Sequence, residues 1–509
     1  MEASRQPRHW ADEAADEILK RPGPHRIRTG ISPSGPIHVG NMRETLTGDV
    51  IARVLRERGA DVRLEFVADN FDPLRRVYPF LDAGTYEPLV GRPLSEIPCP
   101  CGGHASYGDH FLEPYLGTLG RLAIDLHLEK GSEIYKSGRM NRAIIGALEK
   151  RDRISEILHE HTGKRTEDDW SPFNPLCPAC GRITAAKVTG FSAKDETVGY
   201  ACECGSAGTA PMKGGGKLTW RVDWPARWWV LGVTVEPFGK DHASRGGSYD
   251  TGVAIVREVF GAEPPYPVPY EWIGLKGRGD MSSSKGNVIS VADALEIVPP
   301  DVLRYMVVRT RPMKAITFDP GLPVLTLVDE FDDAGAKNRD PRSVALSRAS
   351  SLKPVGVPFK HLVVVLQIAC FDRARAEEIL RSSGYGAFDA EALVERMAYA
   401  KTWLDTYAPE EVKLSLAPEL PPQAAALDAA QRSFLERLAD RLSPGMTGED
   451  VHALVYELAK EFPETTPAHL FEAVYLALIG KTRGPRAGAF ISFVGVEFSV
   501  RRFREAAGA

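Results

Sequence analysis

No apolar run in this 509-residue chain approaches the roughly 20 residues that a membrane-spanning helix needs. No internal repeat or low-complexity tract is present. The opening residues, with Glu2, Asp12, Glu13, Asp16 and Glu17, lack the basic-then-apolar order of a secretory signal. Together these absences point to a cytoplasmic location. Neither charge sign dominates: a net charge of −5 gives nucleic acid no general attraction, although a large RNA-binding enzyme needs only one basic face. Cysteine is scarce, seven residues in all, and six of them fall in close pairs: Cys99 with Cys101, Cys177 with Cys180, Cys202 with Cys204. In a reducing compartment such pairs are metal ligands before they are disulfides. Cys370, alone in the apolar run from His361, is expected to be a buried core thiol. A content of 43% hydrophobic and 26% charged residues is ordinary for a soluble globular protein, and the length predicts about two to four domains.

What is present is organised around Ile31-Ser32-Pro33-Ser34-Gly35-Pro36-Ile37-His38-Val39-Gly40-Asn41. A strand-like run, Arg26-Ile27-Arg28-Thr29, precedes it, and a helix-like segment from Met42 to Leu55 follows, with apolar positions recurring at three and four. A strand that breaks at Pro and Gly and re-emerges as a helix leaves first-turn amides free with positive partial charge aimed outward, which makes a phosphate site. The spacing is not Gly-x-Gly-x-x-Gly, so a dinucleotide fingerprint is not the reading. His38 offers an imidazole donor beside a backbone that a nucleotide can approach; alone, the stretch also suits a tight turn with a capping His. Far downstream, Gly279-Asp280-Met281-Ser282-Ser283-Ser284-Lys285-Gly286-Asn287 gathers hydroxyls, flanking glycines and a compact cation. Between them, Val62 to Ala68 is a second strand, followed by Asp69-Asn70-Phe71-Asp72. Strand, crossover helix and strand begin a parallel, doubly wound sheet, in which ligands gather at the carboxyl ends of strands. Asp69 and Asp72 are read equally as loop caps or as substrate contacts.

From about 93 to 216 the periodicity weakens and the cysteine pairs appear, which predicts an insertion in the nucleotide fold. Cys99, Cys101, His104 and His110 offer two thiols and two imidazoles, a tetrahedral zinc set with no open position for catalysis. Cys177, Cys180, Cys202 and Cys204 predict a four-sulfur ribbon, with strands near 183–189 and 197–201 forming a hairpin that unites the pairs. The nucleotide half resumes at Lys217. Its tryptophan-rich run gives Trp228 and Trp229 to packing, and Trp220 with Asp223 to a pocket that suits an ammonium group. Gly239 lets an adenosine lie against the backbone and Asp241 accepts from ribose hydroxyls.

The two loop stretches resemble the paired signatures of class I aminoacyl-tRNA synthetases, the first like His-Ile-Gly-His and the second like Lys-Met-Ser-Lys-Ser. From the Arg28-Thr-Gly-Ile-Ser-Pro-Ser-Gly run to Gly480-Lys-Thr-Arg-Gly-Pro-Arg486, the chain is similar to the class I lysyl-tRNA synthetase family. That resemblance implies a Rossmann-type α/β catalytic domain in two halves, 1–92 and 217–295, split by a zinc-bearing insertion, 93–216, that faces the tRNA acceptor end. A helical connection, 296–321, and an all-α anticodon-binding domain, 322–509, would follow. It implies lysyl-adenylate formation from ATP with magnesium, then transfer to tRNA(Lys). His38 and Asn41 would donate to phosphate oxygens, and Lys285 would close over the leaving pyrophosphate. The ATP site would comprise Pro33, Ser34, Gly35, His38, Gly40, Asn41, Gly239, Asp241, Met281, Ser282, Ser283, Ser284 and Lys285. The lysine pocket would comprise Gly30, Ser32, Trp220, Asp223, His242, Tyr270 and Glu271; spacing does not choose between Asp223 and Glu271 as partner of the ε-ammonium. Lys481, Arg483, Arg486, Arg501, Arg502 and Arg504 form a candidate phosphate-contacting face.

One departure keeps other readings open. Asp280 stands where the second signature usually has its first Lys, so either Lys276 or Arg278 takes over or Lys285 alone suffices. A catalytically silent, tRNA-binding relative is one alternative. A glutamyl-type synthetase is another, because Arg28 sits where those enzymes carry an arginine.

Overall fold

The computed structural model describes residues 8–277, 279–281, 288–386, 388–414, 416, 419–484 and 486–508. It divides into two compact units, the first comprising 1–295, 300–319 and 340–350, the second 296–299, 320–339 and 351–509. A five-stranded sheet forms the centre of the first unit. Its strands are His25–Ile31 (β1), Val62–Ala68 (β2), His127–Lys130 (β3), Val235–Gly239 (β4) and Tyr266–Tyr270 (β5). They pair in parallel in the order β5, β4, β1, β2, β3. Helices cover such a sheet on both faces, and Ile27, Leu64, Phe66, Val235 and Phe238 are accordingly buried. The strand order reverses between β1 and β4, and the crevice outside their carboxyl ends is where doubly wound sheets bind ligands.

The helix Val39–Glu57 carries the first signature into the core. Met42, Leu46, Val50, Ile51 and Val54 are fully buried along it. Gly48 lets it settle on the sheet: a Cβ there would lie 2.9 Å from Thr29 Cγ2 and 3.1 Å from Leu64 Cδ1. Buried guanidinium groups fix its other face. Arg43 donates to the carbonyls of Trp272, Pro312 and Lys314, and Arg304 donates to Asp49 at 2.6 Å.

The domain boundaries differ from those expected of the sequence. β3 falls inside the stretch assigned to an insertion, because a four-residue strand is too short to display a period. Ala143, Ile144, Ile154 and Ile157, from the helices that follow, share one core with Trp224, Trp228 and Ile255. The part that leaves the nucleotide fold is a three-stranded antiparallel sheet of Ala186–Ser192, Thr197–Cys202 and Ala207–Pro211. At the other end, the helix Pro341–Ser347 belongs to the first unit although its pattern matches the helical region around it.

The second unit is helical, with no strand among its described residues. Phe434, Leu438, Val455, Leu470, Val474 and Phe503 form its buried interior. Gly488 lets two helices touch, since a Cβ there would come within 2.5 Å of both Gly448 O and His452 N. Cys370 is exposed, not buried: its helix ends at Ile368, and Cys370 lies beyond it in a turn with φ +52°. Arg502 leaves the expected basic face, because it is buried and donates to the carbonyls of Glu419 and Ala477. Lys481 is likewise engaged by carbonyls, those of Glu410 and Lys413.

The contact at Gly48 makes a direct prediction. Gly48→Leu overpacks the helix against β1 and β2 and is expected to lower stability by about 1–3 kcal/mol, measured by urea unfolding; an unchanged midpoint would refute the close approach.

Candidate active site

The turn between β1 and its helix fixes the state of His38. Its backbone N–H donates to Asn41 Oδ1 at 3.1 Å, and its ring Nδ1 accepts from the Gly40 N–H at 3.1 Å. This reciprocal cap satisfies two first-turn groups at once. It also sets the tautomer: Nδ1 is occupied as an acceptor, so the ring proton sits on Nε2. Burial lowers the His38 pKa to about 4, and the imidazole is a neutral donor at pH 7. Asn41, with its oxygen engaged by the cap, keeps its NH2 for the cavity it lines. Gly40 serves the same ring, since a Cβ there would come within 2.9 Å of the imidazole.

Two cavities meet at Ile31 and Ser32. One, of about 340 Å³, is lined by Ser34, Gly35, Asn41, Asp72, Arg75 and Tyr78. The other, of about 120 Å³, lies at the switch point and is lined by Arg28, Gly30, Glu44, Trp220, Trp224, Glu236 and His242 among others. Trp220 stacks on Trp224 with ring centres 5.5 Å apart, and His242 lies 5.7 Å from Trp220. Arg28 reaches Glu236 Oε1 at 2.7 Å, as does the Trp224 indole N–H, while Glu236 Oε2 is buried without a partner. Burial raises the Glu236 pKa. Glu44 accepts from the Gly30 N–H at 2.7 Å and from Tyr270 OH at 2.8 Å; burial, outweighing those bonds, raises its pKa to about 7. Gly30 allows the close passage beside β2, where a Cβ would lie 2.4 Å from Val67 O.

A buried charge network forms one wall. Arg227 donates to both oxygens of Asp69, at 3.0 and 2.7 Å, and to Asp223 at 3.1 Å. Lys217 bridges Asp69, at 2.8 Å, and Asp72, which also accepts from Ser32. Burial by itself would raise the Asp69 pKa, but the Arg227 and Lys217 charges hold it far below the carboxylate range. The acids of this loop are thus neither simple caps nor free substrate contacts.

Both cysteine groups close up as sets, with their four ligand atoms all within 4.8 Å of one another. In the first, sulfur–sulfur and sulfur–Nδ1 distances run from 3.3 to 3.4 Å. In the second, Cys177–Cys204 and Cys180–Cys202 are each 3.7 Å. Tetrahedral zinc bonds of about 2.0–2.3 Å give ligand–ligand edges of about 3.3–3.8 Å, so both donor sets fit. His110 lies in the first turn of the helix Tyr107–Leu119, whose Tyr107 OH donates to Ser34 O at 2.8 Å. The first cysteine and histidine group is therefore linked through this helix to the turn at Ser34.

Other expected site residues lie elsewhere. Asp223 is fully buried against Arg227 and Tyr135 and does not line the pocket. Glu271 pairs with Lys240 at 2.9 Å and does not line it either. Tyr270 does not line it and donates instead to Glu44 at 2.8 Å. The close approach at Gly239 is taken by Trp272, whose ring a Cβ would meet at 2.7 Å, and Asp241 is exposed in the turn that follows. Lys276 is paired with Asp319 at 2.9 Å. Ser282, Ser283, Ser284 and Lys285, with Arg278, lie outside the described residues. Flanking chain is described on both sides of that loop: Met281 is buried, and the Ile289 carbonyl accepts from the Val39 N–H at 3.1 Å beside a bridge between His38 and Ser290. The sequence reading missed Glu44, Glu236, Trp224, Lys217 and Arg227. A signal existed for Glu236 and Arg28, since a charge inside a strand buried on both faces requires a partner.

A parallel sheet with this signature turn at its switch point, tied to the chain re-entering after a Ser-rich loop, defines a class I aminoacyl-tRNA synthetase. The family described as tRNA synthetases class I (K) matches residues 8–351. A lysine–tRNA ligase of Methanosarcina barkeri is 50% identical, covering 98% of this chain and 97% of that protein. One of Archaeoglobus fulgidus is 47% identical over 98% and 100%, and one of Thermoplasma acidophilum 42% identical over 97% and 98%. The chain belongs to the class I lysyl-tRNA synthetase family.

Glu44 generates a test of this geometry. Its folded pKa of about 7 exceeds its ordinary 4.5, so the fold favours the protonated acid. That contribution to stability is fully present below pH 4.5 and is lost as the pH rises through 7. Glu44→Gln should remove this fall, so the stability difference between the variant and the parent should drift across that window in chemical unfolding; a constant difference would refute the buried acid.

Proposed function

We propose that the protein attaches lysine to tRNA(Lys) in the cytoplasm, with ATP as its magnesium complex, through two displacements. The lysine carboxylate attacks the α-phosphorus and pyrophosphate leaves; the terminal ribose hydroxyl of the tRNA then attacks the acyl carbon and AMP leaves. No protein nucleophile takes part, so the protein's work is positioning and stabilisation of charge on the phosphates. His38 Nε2–H and the Asn41 amide donate to phosphate oxygens, and Lys285 meets the departing pyrophosphate.

The observation that carries the choice of amino acid is the Arg28–Glu236 pair. A glutamate pocket needs an arginine free to grip a carboxylate. Here Arg28 is neutralised at 2.7 Å, and Glu236 Oε2 is left unpartnered beside Glu44 and the Trp220–Trp224 faces. Acids and aromatic faces favour an ammonium group. Glu236 and Glu44 take the place that the sequence offered to Asp223 and Glu271.

Both four-ligand sets hold zinc in this reading. A closed set supplies rigidity rather than chemistry, stiffening the phosphate turn through Tyr107 in one case and the antiparallel sheet in the other. The second unit reads the anticodon, with Arg483, Arg486 and Arg501 exposed for phosphate contacts.

Pyrophosphate exchange with saturating tRNA(Lys), run against all twenty amino acids, is expected to proceed with lysine and not with glutamate. Glutamate-dependent exchange, or none, would overturn the assignment. Glu236→Gln should raise KM for lysine about 30-fold or more, because a buried, hydrogen-bonded charge is worth about 2–5 kcal/mol. Lys285→Ala should slow exchange by about 100-fold or more with little change in lysine binding. Metal analysis should find two zinc ions per chain, falling to one in Cys202→Ala; a parent protein without zinc would refute both sites.

A further inference from the structure

The larger of the two cavities that meet at Ser32 is short of positive charge. Among its described lining residues Ser32, Ser34 and Asn41 offer neutral donors, Asp72 is an acid already held by Lys217 and Ser32, and Arg75 is the single cation. The His38 imidazole is neutral at pH 7 and adds no charge. Downstream the deficit grows. Asp280 stands in the sequence where the second signature usually has a lysine, and Lys276 is spent on Asp319 at 2.9 Å. Arg75, by contrast, is exposed and has no acid partner among the described residues. The next residue, Arg76, lies over the Tyr78 ring at 5.6 Å and does not line the cavity.

The loop that presents Arg75 is braced on both sides. Asp72 O accepts from the Leu94 N–H at 2.9 Å, and Leu74 exchanges backbone hydrogen bonds with Gly91 and Arg92, each at 2.8 Å. Leu74 is fully buried, and Tyr78 packs with it against Tyr86, Leu94 and Tyr107. The Arg75 guanidinium therefore stands on a short arch between two buried anchors. Its place relative to the reaction follows from the cavities. Lysine reaches from the smaller one, so the α-phosphorus has to lie where they meet, at Ile31 and Ser32, while Arg75 lines only the larger. Adenosine and pyrophosphate both extend beyond that meeting point, and a cation without an acid is matched to pyrophosphate. We propose that Arg75 binds the β- and γ-phosphates of ATP and takes up the charge of the departing pyrophosphate, supplying the cation that the second signature lacks at Asp280. This rests on the aminoacylation reading above. In that step the bond between the lysine carboxylate oxygen and the α-phosphorus forms, the bond from the α-phosphorus to the bridging oxygen breaks, and its electron pair leaves on pyrophosphate. Arg75 gives up no proton. Its planar fork holds two phosphate oxygens at once and is in place before the charge develops.

The test is pyrophosphate exchange with saturating tRNA(Lys), comparing the parent with Arg75→Met, Arg75→Lys and Arg76→Met. Arg75→Met should slow exchange by about 100-fold or more, as loss of a donor to developing charge does, and should raise the KM for pyrophosphate. The KM for lysine should not move, nor should inhibition by AMP, which lacks the leaving phosphates. Arg75→Lys, which keeps the charge, should retain more of the rate than Arg75→Met. Arg76→Met should match the parent, and all three variants should unfold at the parent's urea midpoint because both side chains are exposed. An unchanged exchange rate in Arg75→Met, an equal loss in Arg76→Met, an equal loss in Arg75→Lys, or a matching loss of AMP inhibition overturns the proposal. Absence of lysine-dependent exchange in the parent would instead overturn the activity on which it rests.

Discussion

Arg227 and Lys217 hold Asp69, Asp72 and Asp223 in a region nearly closed to water, at the carboxyl ends of parallel strands. Each of these charges alone would be strongly disfavoured there; together they satisfy one another across segments far apart in the chain. The network fixes the loop after β2, and Asp72 in turn orients Ser32, the residue at which both cavities meet. Beside it the Arg28–Glu236 pair applies the same logic to recognition. A buried cation is cancelled by a buried acid whose second oxygen has no hydrogen-bond partner. The proposed preference for an ammonium group rests on this pairing, which leaves Arg28 no free charge for a carboxylate.

The turn between the first strand and its helix is held by directed hydrogen bonds. His38 caps its own helix through Nδ1, so the same bond that ends the turn also chooses which nitrogen carries the proton. Tyr107 pins Ser34 from a helix whose first turn carries His110 of the first cysteine and histidine group, and Ile289 pins Val39 just beyond the Ser-rich loop. Preorganised donors of this kind stabilise developing charge without having to reorganise during the reaction.

Much of this was legible in the sequence where the signal is local. Breaks at Pro and Gly, the His-x-Gly helix start and the helical period of Met42 to Leu55 identified the turn, and the spacing of the cysteines and histidines identified both ligand sets. The short strand β3 and the helix Pro341–Ser347 were not legible as members of the first unit, since four residues show no period and a helix pattern does not say which core it joins. Cys370 misled for a related reason: an apolar run says nothing about the turn in which it ends.

The sequence by itself determined the parallel fold, the position of the Pro- and Gly-broken turn before the first long helix and the two cysteine and histidine groups, because periodicity, turn chemistry and spacing are properties of neighbouring residues. Only the tertiary structure decided which acids line the switch-point cavity. Asp223 and Glu271 sit in promising local contexts but are taken by Arg227 and Lys240. Glu44 carries no local signal and Glu236 only that of a charge inside a buried strand, yet they converge on one cavity from a helix and a strand. The partners that decide whether a carboxylate is free or neutralised lie from 4 residues away, for Asp223 and Arg227, to 208 away, for Glu236 and Arg28, and only folding settles which pairs form.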